Sequence, residues 1–174
     1  LTSIIHGMHN IHLALRQMSR ATHVGKVVVS TSHFARVQNM TRSARHAITG
    51  GTGALGLLTG AHLTQQGAHA IALLGRTGHL HNSHDGLLSN DCGASLSILR
   101  CDVSRAEESD LLCGLGLQGV MHAGGVLADS VLNNQTASSV RCVFAPKVVG
   151  AQHLERALGM EALQMQVLFS SVAA

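Results

Sequence analysis

This chain of 174 residues has no tryptophan and no tyrosine, only three phenylalanines and a single proline. Charge is scarce and nearly balanced, with 12 Lys and Arg against 9 Asp and Glu and a formal net charge of +3. A balance so mild and so scattered gives no nucleic-acid footprint, and the 13 histidines do not gather into one patch. The four cysteines, Cys92, Cys101, Cys113 and Cys142, are widely spaced and form no C-x-x-C. They read as reduced thiols of an intracellular, cytoplasmic protein. No apolar run approaches the length of a membrane span. No metal site is expected either. His6, His9 and His12 could share a helix face but bring no carboxylate or thiolate, and His79, His81 and His84 fall in a polar stretch that reads as a solvated loop. The chain starts at Leu1 and ends just after an apolar run, so both ends are expected to be cut, and a missing targeting signal says nothing of the intact protein.

What is present is aliphatic: 45% of residues are hydrophobic, alongside 19 glycines. The length suits one domain with a sizeable core. Apolar strand-like runs alternate with helix-like ones, which predicts an α/β fold. The organising stretch is Ala47-Ile48-Thr49-Gly50-Gly51-Thr52-Gly53-Ala54-Leu55-Gly56. A short apolar strand enters a glycine turn and leaves as a helix over 57–66. Gly51, Gly53 and Gly56 fit G-x-G-x-x-G: the first for a tight turn, the second for close approach of backbone to a pyrophosphate, the third for helix–strand packing. The helix N-terminus would present amide donors to that phosphate.

Around this stretch, residues 1–30 form a separate unit, with a helix over 11–19 whose Ile11, Leu15 and Met18 share a face, and a strand at 26–29. Residues 31–44 read as a linker. The main domain, 45–174, continues with strands at 46–49, 69–74, 96–101, 119–123 and 164–170. Helices fall at 105–113 and, N-capped by Thr136, at 137–144; Pro146 starts a fresh helical turn that runs to 158. Right-handed β-α-β crossovers make such a sheet parallel. Arg76 ends the second of these strands, 20 residues past Gly56. An acidic residue there would hold a ribose 2′-OH and favour NAD, whereas an Arg accommodates a 2′-phosphate and favours NADPH. A solvated Arg at a strand end is the plain alternative.

Several ordered motifs carry a family likeness: Thr49-Gly-Gly-Thr-Gly-Ala-Leu-Gly56, Leu73-Leu-Gly-Arg76, Cys101-Asp-Val103, Gly119-Val-Met-His-Ala-Gly-Gly-Val-Leu127, Asn134-Gln-Thr136, Ala145-Pro-Lys-Val-Val-Gly150 and Val167-Leu-Phe-Ser-Ser-Val-Ala173. From about Ala47 onward the chain resembles the ketoreductase domain of type I polyketide synthases and animal-type fatty acid synthases, a branch of the short-chain dehydrogenase/reductase superfamily. The resemblance implies a Rossmann-like doubly wound parallel sheet, truncated here after the fifth strand, which would leave that strand an unprotected edge. The segment Ala21-Thr-His-Val-Gly-Lys-Val-Val-Val29 resembles the C-terminal tail of an enoylreductase domain.

The family's function implies NADPH-dependent reduction of a 3-oxoacyl group on an acyl carrier protein to the 3-hydroxyacyl thioester. The partners would be the carrier and neighbouring enoylreductase, dehydratase and ketosynthase domains in a homodimeric parent. Thr49, Gly51, Thr52, Gly53, Ala54, Leu55 and Gly56 would hold the cofactor, as would Arg76. Asp102 and Val103 would meet the adenine, and Asp102 reads equally well as a turn or helix-cap residue. Ala123 and Gly124 would let ribose and nicotinamide pass close to backbone. Lys147 would bind the nicotinamide ribose and lower the pKa of a catalytic Tyr, and Ser171, 24 residues later, would hydrogen-bond the ketone oxygen. That Tyr, of a Tyr-x-x-x-Asn motif, is not among these residues, so the fragment alone is expected to be inactive. Leu127-Ala128-Asp129 keeps the last Asp of the family's Leu-Asp-Asp, and Asp129 therefore points to D-hydroxyl products. A module that binds nucleotide as a scaffold and has lost catalysis is the alternative.

Overall fold

The computed structural model describes residues 3–7, 10–20, 26–30, 44–80 and 94–170, the short strands 3–7 and 26–30 by their backbone only. The chain divides into two units, Leu1–Asn39 and Met40–Ala174. In the first, β1 (Ser3–Gly7) and β2 (Lys26–Ser30) pair in parallel across α1 (Ile11–Ser19). β1 is a strand that the sequence pattern does not announce. It also corrects the idea of one His-bearing helix face, because His6 lies in β1 and His12 in α1; His9 is outside the described residues. In α1 only Ala14 is buried, and Ile11, Leu15 and Met18 are exposed on their shared face.

The second unit carries β3 (Arg45–Thr49), α2 (Ala54–Gln65), β4 (Ala70–Gly75), β5 (Ser95–Arg100), α3 (Ala106–Asp110), β6 (Gly119–His122), α4 (Ala137–Phe144), α5 (Gly150–Leu158) and β7 (Met165–Leu168). Its five strands are all parallel in the order β5-β4-β3-β6-β7. The chain winds outward from β3 in one direction through β4 and β5, then returns to β3's other side with β6 and β7. This is the doubly wound pattern, and its order reverses at β3, where open sheets place ligands beyond the strand C-termini.

Strand alternation divides the core into two layers. Ala47, Leu74 and Val120 face one side, where they pack with Leu112, Leu154 and Leu158 from the region of α3 and α5. Ile48, Leu73 and Met121, one residue away in each strand, face the other and pack with Leu57 and Leu63 of α2. The apolar runs of β3, β4 and β6 are thus buried on both faces, as central parallel strands require. β7 is an edge among the described residues, and its Leu168 is 54% exposed.

Two helices depart from expectation. The helix at 105–113 shrinks to α3, Ala106–Asp110. Pro146 does not open a new helix: Ala145–Val149 forms a π-helical turn that joins α4 to α5, with the Gly150 N–H donating to the Ala145 carbonyl five residues back. Proline has no N–H to give the ladder, and one wider turn absorbs the lost bond without a break.

The start of α4 is as expected. Thr136 Oγ1 accepts from the Ser139 N–H at 3.1 Å, and the Ser139 hydroxyl accepts from the Thr136 N–H at 3.0 Å. α4 has no buried residue to anchor it, so this reciprocal cap carries unusual weight. Thr136→Ala is expected to cost about 1 kcal/mol locally. Hydrogen exchange should show faster amide exchange at residues 137–140 with the thermal midpoint nearly unchanged.

Candidate functional site

At the C-terminal ends of β3, β4 and β6 lies a cleft of about 280 Å³. The glycine turn forms its floor. Gly51 N–H donates to the Leu74 carbonyl at 2.9 Å, Gly53 N–H to Gly50 at 3.0 Å, and Leu57 N–H to Gly53 at 2.9 Å, the first bond of α2. The amides of residues 54–56 therefore precede the helical ladder at the helix's positive end.

The glycines divide their tasks differently from the motif's plain reading. The left-handed residue is Gly50, at φ +64, one position before the motif. A Cβ on Gly51 would lie 2.6 Å from the Ile48 carbonyl oxygen and 2.7 Å from Leu73 Cα, so Gly51 lets the turn sit flat against β3 and β4. Gly56 brings α2 down on the turn, since its Cβ would lie 2.5 Å from the Gly50 oxygen. Gly53 is exposed, and a Cβ there would meet only that same oxygen, at 3.3 Å. The turn backbone left open to the cleft is thus at Gly53.

The walls come from neighbouring strand ends. Thr49 and Thr52 line the cleft; Gly75 leaves room for the Thr52 hydroxyl, which would lie 2.5 Å from a Cβ there. Arg76 lines it from the end of β4 and is exposed, and no carboxylate accompanies it in Gly75-Arg76-Thr77. Asp102 lines it while acting as a turn residue: Oδ1 accepts from the Ser104 N–H at 3.0 Å and the Ser104 hydroxyl at 2.6 Å. The Asp102 N–H donates to Glu108 at 2.7 Å, which is the main reason the Glu108 carboxyl is held below its ordinary value, with Arg100 and Arg105 adding to the effect. Val103 borders the cleft, its side chain in the core. Cys101 also borders it, but burial, then the nearby Glu108 and Asp102 carboxylates, push its thiol up to about 11, so it is no nucleophile near neutral pH. Ala54 and Leu55 are exposed on the first turn of α2 and do not line the cleft, leaving their amides as what they offer.

Ala123 and Gly124 follow β6 along the cleft, with the Ala123 N–H donating to the Thr49 carbonyl at 3.0 Å. Beyond them a second cavity, about 470 Å³, is lined by His122, Phe144, Lys147, Phe169 and Ser170 among others. The π-turn divides the two spaces: Pro146 lines the first and Lys147 the second. Lys147 Nζ donates to the Phe169 carbonyl at 3.2 Å. Gly125 leaves room for that side chain, since a Cβ there would lie 3.2 Å from Lys147 Cε. Asp129 is exposed and lines neither space. Ser171 lies outside the described residues; the strand ladder toward it continues as far as Phe169, whose N–H donates to His122.

A glycine-rich turn at a strand end and the amides of a helix start fit the phosphates of a dinucleotide. The KR domain family profile matches residues 44–174. This chain belongs to the ketoreductase domain family. The ketoreductase chain is 39% identical over 166 residues to the erythronolide synthase EryA2 of Saccharopolyspora erythraea, covering 92% of this chain and 4% of that protein. It is 30% identical over 177 residues to a mycocerosic acid synthase-like polyketide synthase of Mycobacterium tuberculosis, covering 92% of this chain and 8% of that protein. Among solved structures it is similar to an N-terminal ketoreductase from the macrolactin assembly line, with a TM-score of 0.70 and 30% identity over 79% of this chain and 30% of that one. The chain thus spans less than a tenth of either synthase and less than a third of that solved chain.

Two buried histidines belong to the ketoreductase sheet. His46 of β3 is 3% exposed, with neither ring nitrogen bonded among the described residues, and His122 of β6 is 2% exposed. Burial is the largest influence on both and pushes both below the ordinary value of 6.5. Unfolded, each ring gains a proton as pH falls through about 6.5; folded, each resists until lower pH. In that window the unfolded state binds more protons, so stability is full above it and falls with pH below it. The urea midpoint is therefore expected to be lower at about pH 5.5 than at about pH 7.5. Among the described residues no three His, Cys, Asp or Glu side chains cluster to hold a metal ion, and no helix is long and apolar enough to cross a membrane.

Proposed function

We propose that residues 45–174 are the cofactor-binding part of a ketoreductase that uses NADPH to reduce a 3-oxoacyl thioester, carried on an acyl carrier protein, to the 3-hydroxyacyl thioester within a polyketide or fatty acid synthase. The observation that carries this reading is the cleft at the sheet's switch point, where the glycine turn, Arg76, Asp102 and the Ala123–Gly124 backbone converge. NADPH, when bound, supplies the hydride. The chain's residues hold and polarise. The turn from Thr49 to Gly56 and the α2 amides bind the pyrophosphate, Arg76 pairs with the 2′-phosphate, and Asp102 and Val103 border the adenine.

Lys147 stands on the π-turn, half-buried, with its ammonium anchored on the Phe169 carbonyl. From there it binds ribose hydroxyls and favours the phenolate of a Tyr, which must come from outside these residues because the chain holds none. Ser171 donates to the ketone oxygen as negative charge develops. Asp129 marks the D-hydroxyl outcome. Residues 1–30, which hold β1, α1 and β2, are the tail of an enoylreductase-like neighbour.

Fluorescence titration tests the cofactor reading: NADPH should bind more tightly than NADH. Preference for NADH, or no binding of either, would overturn it.

A further inference from the structure

His122 lies within the Gly119–Leu127 motif with no role assigned to it, yet it touches both halves of the site. It closes β6 and pairs in register with Thr49, the last residue of β3. Its Nδ1 lies 2.5 Å from Thr49 Oγ1, in the wall of the cofactor cleft. The ring also lines the second cavity beside Lys147. Two glycines make its slot: a Cβ on Gly124 would lie 3.3 Å from His122 Cε1, and one on Gly150 would lie 3.4 Å from it. Nε2 is fully buried and has no hydrogen-bond partner in the described structure. The main chain of Pro146 and Lys147 faces the ring and favours a proton on it.

We propose that His122 is a positioning residue for Lys147: its neutral ring accepts a hydrogen bond from the Thr49 hydroxyl at Nδ1 and turns Nε2–H toward the Pro146 and Lys147 carbonyls, steadying the π-turn that presents the lysine. The tautomer follows from the surroundings. Burial and the neighbouring Lys147 ammonium disfavour a charged ring, so it carries one proton. With Nδ1 turned to the Thr49 hydroxyl, the ring's one proton falls to Nε2, and the main chain of Pro146 and Lys147 favours a proton on the ring. The Thr49 hydroxyl then has Nδ1 as its acceptor. The π geometry widens the turn at the point where the ring abuts it, and such turns recur at functional sites. The importance of this support for cofactor binding rests on the reading that Lys147 holds the nicotinamide ribose.

The test uses the 174-residue chain. Long-range ¹H–¹⁵N spectra of the wild-type imidazoles, with His122 assigned by its loss in His122→Gln, should show Nε2 protonated and Nδ1 as an acceptor at neutral pH. An Nδ1–H tautomer or a charged ring would overturn the proposal without any variant having to fold. Titration then separates positioning from general damage. His122→Leu should weaken NADPH about tenfold, the loss of roughly one hydrogen bond. It should leave 2′,5′-ADP, which has no nicotinamide half, unchanged, and His122→Gln should restore most of the NADPH affinity. Equal loss for both ligands, or no loss for either, would overturn the proposal. Lys147→Met is the separate control: unchanged NADPH affinity there sinks the Lys147 reading, while the imidazole spectra still decide the His122 geometry.

Discussion

Gly51→Ala is expected to destabilise the ketoreductase unit by about 1–3 kcal/mol and to abolish NADPH binding in the molecules that still fold. Its Cβ would lie 2.6 Å from the Ile48 carbonyl oxygen, 2.7 Å from Leu73 Cα and 2.9 Å from Leu73 Cβ. Ile48 and Leu73 are register partners in the β3–β4 ladder, one pair from its C-terminal end, and are fully buried. Neither main chain can retreat without opening that ladder, and the turn that moves instead carries the phosphate amides with it. Gly53→Ala is the matched comparison. Its methyl would meet only the Gly50 oxygen, at 3.3 Å, on an exposed surface. Stability there should stay within about 0.5 kcal/mol of wild type. Affinity for NADPH should fall all the same, because the methyl occupies the approach of the pyrophosphate. Urea midpoints and NADPH titrations of the two variants separate packing from binding. A Gly51→Ala protein as stable as wild type would contradict the assignment of Gly51 to the strand contact.

Arg76→Ala is expected to weaken NADPH by about tenfold to a hundredfold, the loss of a charge-assisted contact worth roughly 1.5–3 kcal/mol. Binding of NADH, which lacks the 2′-phosphate, should change little. Arg76 is exposed at the end of β4 and borders the cleft. No carboxylate stands beside Arg76 in Gly75-Arg76-Thr77, so on the NADPH reading the expected preference and its loss both trace to one side chain. Because the contact is solvent-exposed, higher salt should narrow the difference between wild type and variant. Parallel titrations of both cofactors check it; an equal loss for NADPH and NADH would show that Arg76 supports the turn and does not read the phosphate.

Much of the sheet is legible in the sequence because local chemistry and tertiary role agree. The strand at β3, the glycine turn and α2 announce themselves through an apolar run, clustered glycines and a helical stretch, and β4 and β6 through apolar runs of strand length. The Thr136 cap is equally local. What escapes depends on contacts distant in sequence or on exact backbone angles. The left-handed turn falls on Gly50, and a spacing pattern that starts at Gly51 does not register the glycine before it. β1 holds only two large aliphatic residues, Ile4 and Ile5, and exists as a strand through its parallel pairing with β2. The π-turn escapes because Pro146 is as good a helix opener as it is an interruption within a continuous helix, and only the Ala145–Gly150 bond tells them apart. His122 reads as one polar residue in an apolar strand; its partner Thr49 lies 73 residues away. Lys147 stands out from an ordinary solvated lysine only through family likeness, since the Phe169 carbonyl that holds it is brought near by β7.

Whether this chain belongs to a working reductase is tested most directly by NADPH oxidation in the intact parent protein supplied with a 3-oxoacyl thioester, followed together with the formation of the 3-hydroxyacyl product. The expected result is turnover that Lys147→Met and Ser171→Ala each reduce severely. Tight NADPH binding without any turnover in a folded parent would contradict it and leave the ketoreductase unit as a nucleotide-binding scaffold.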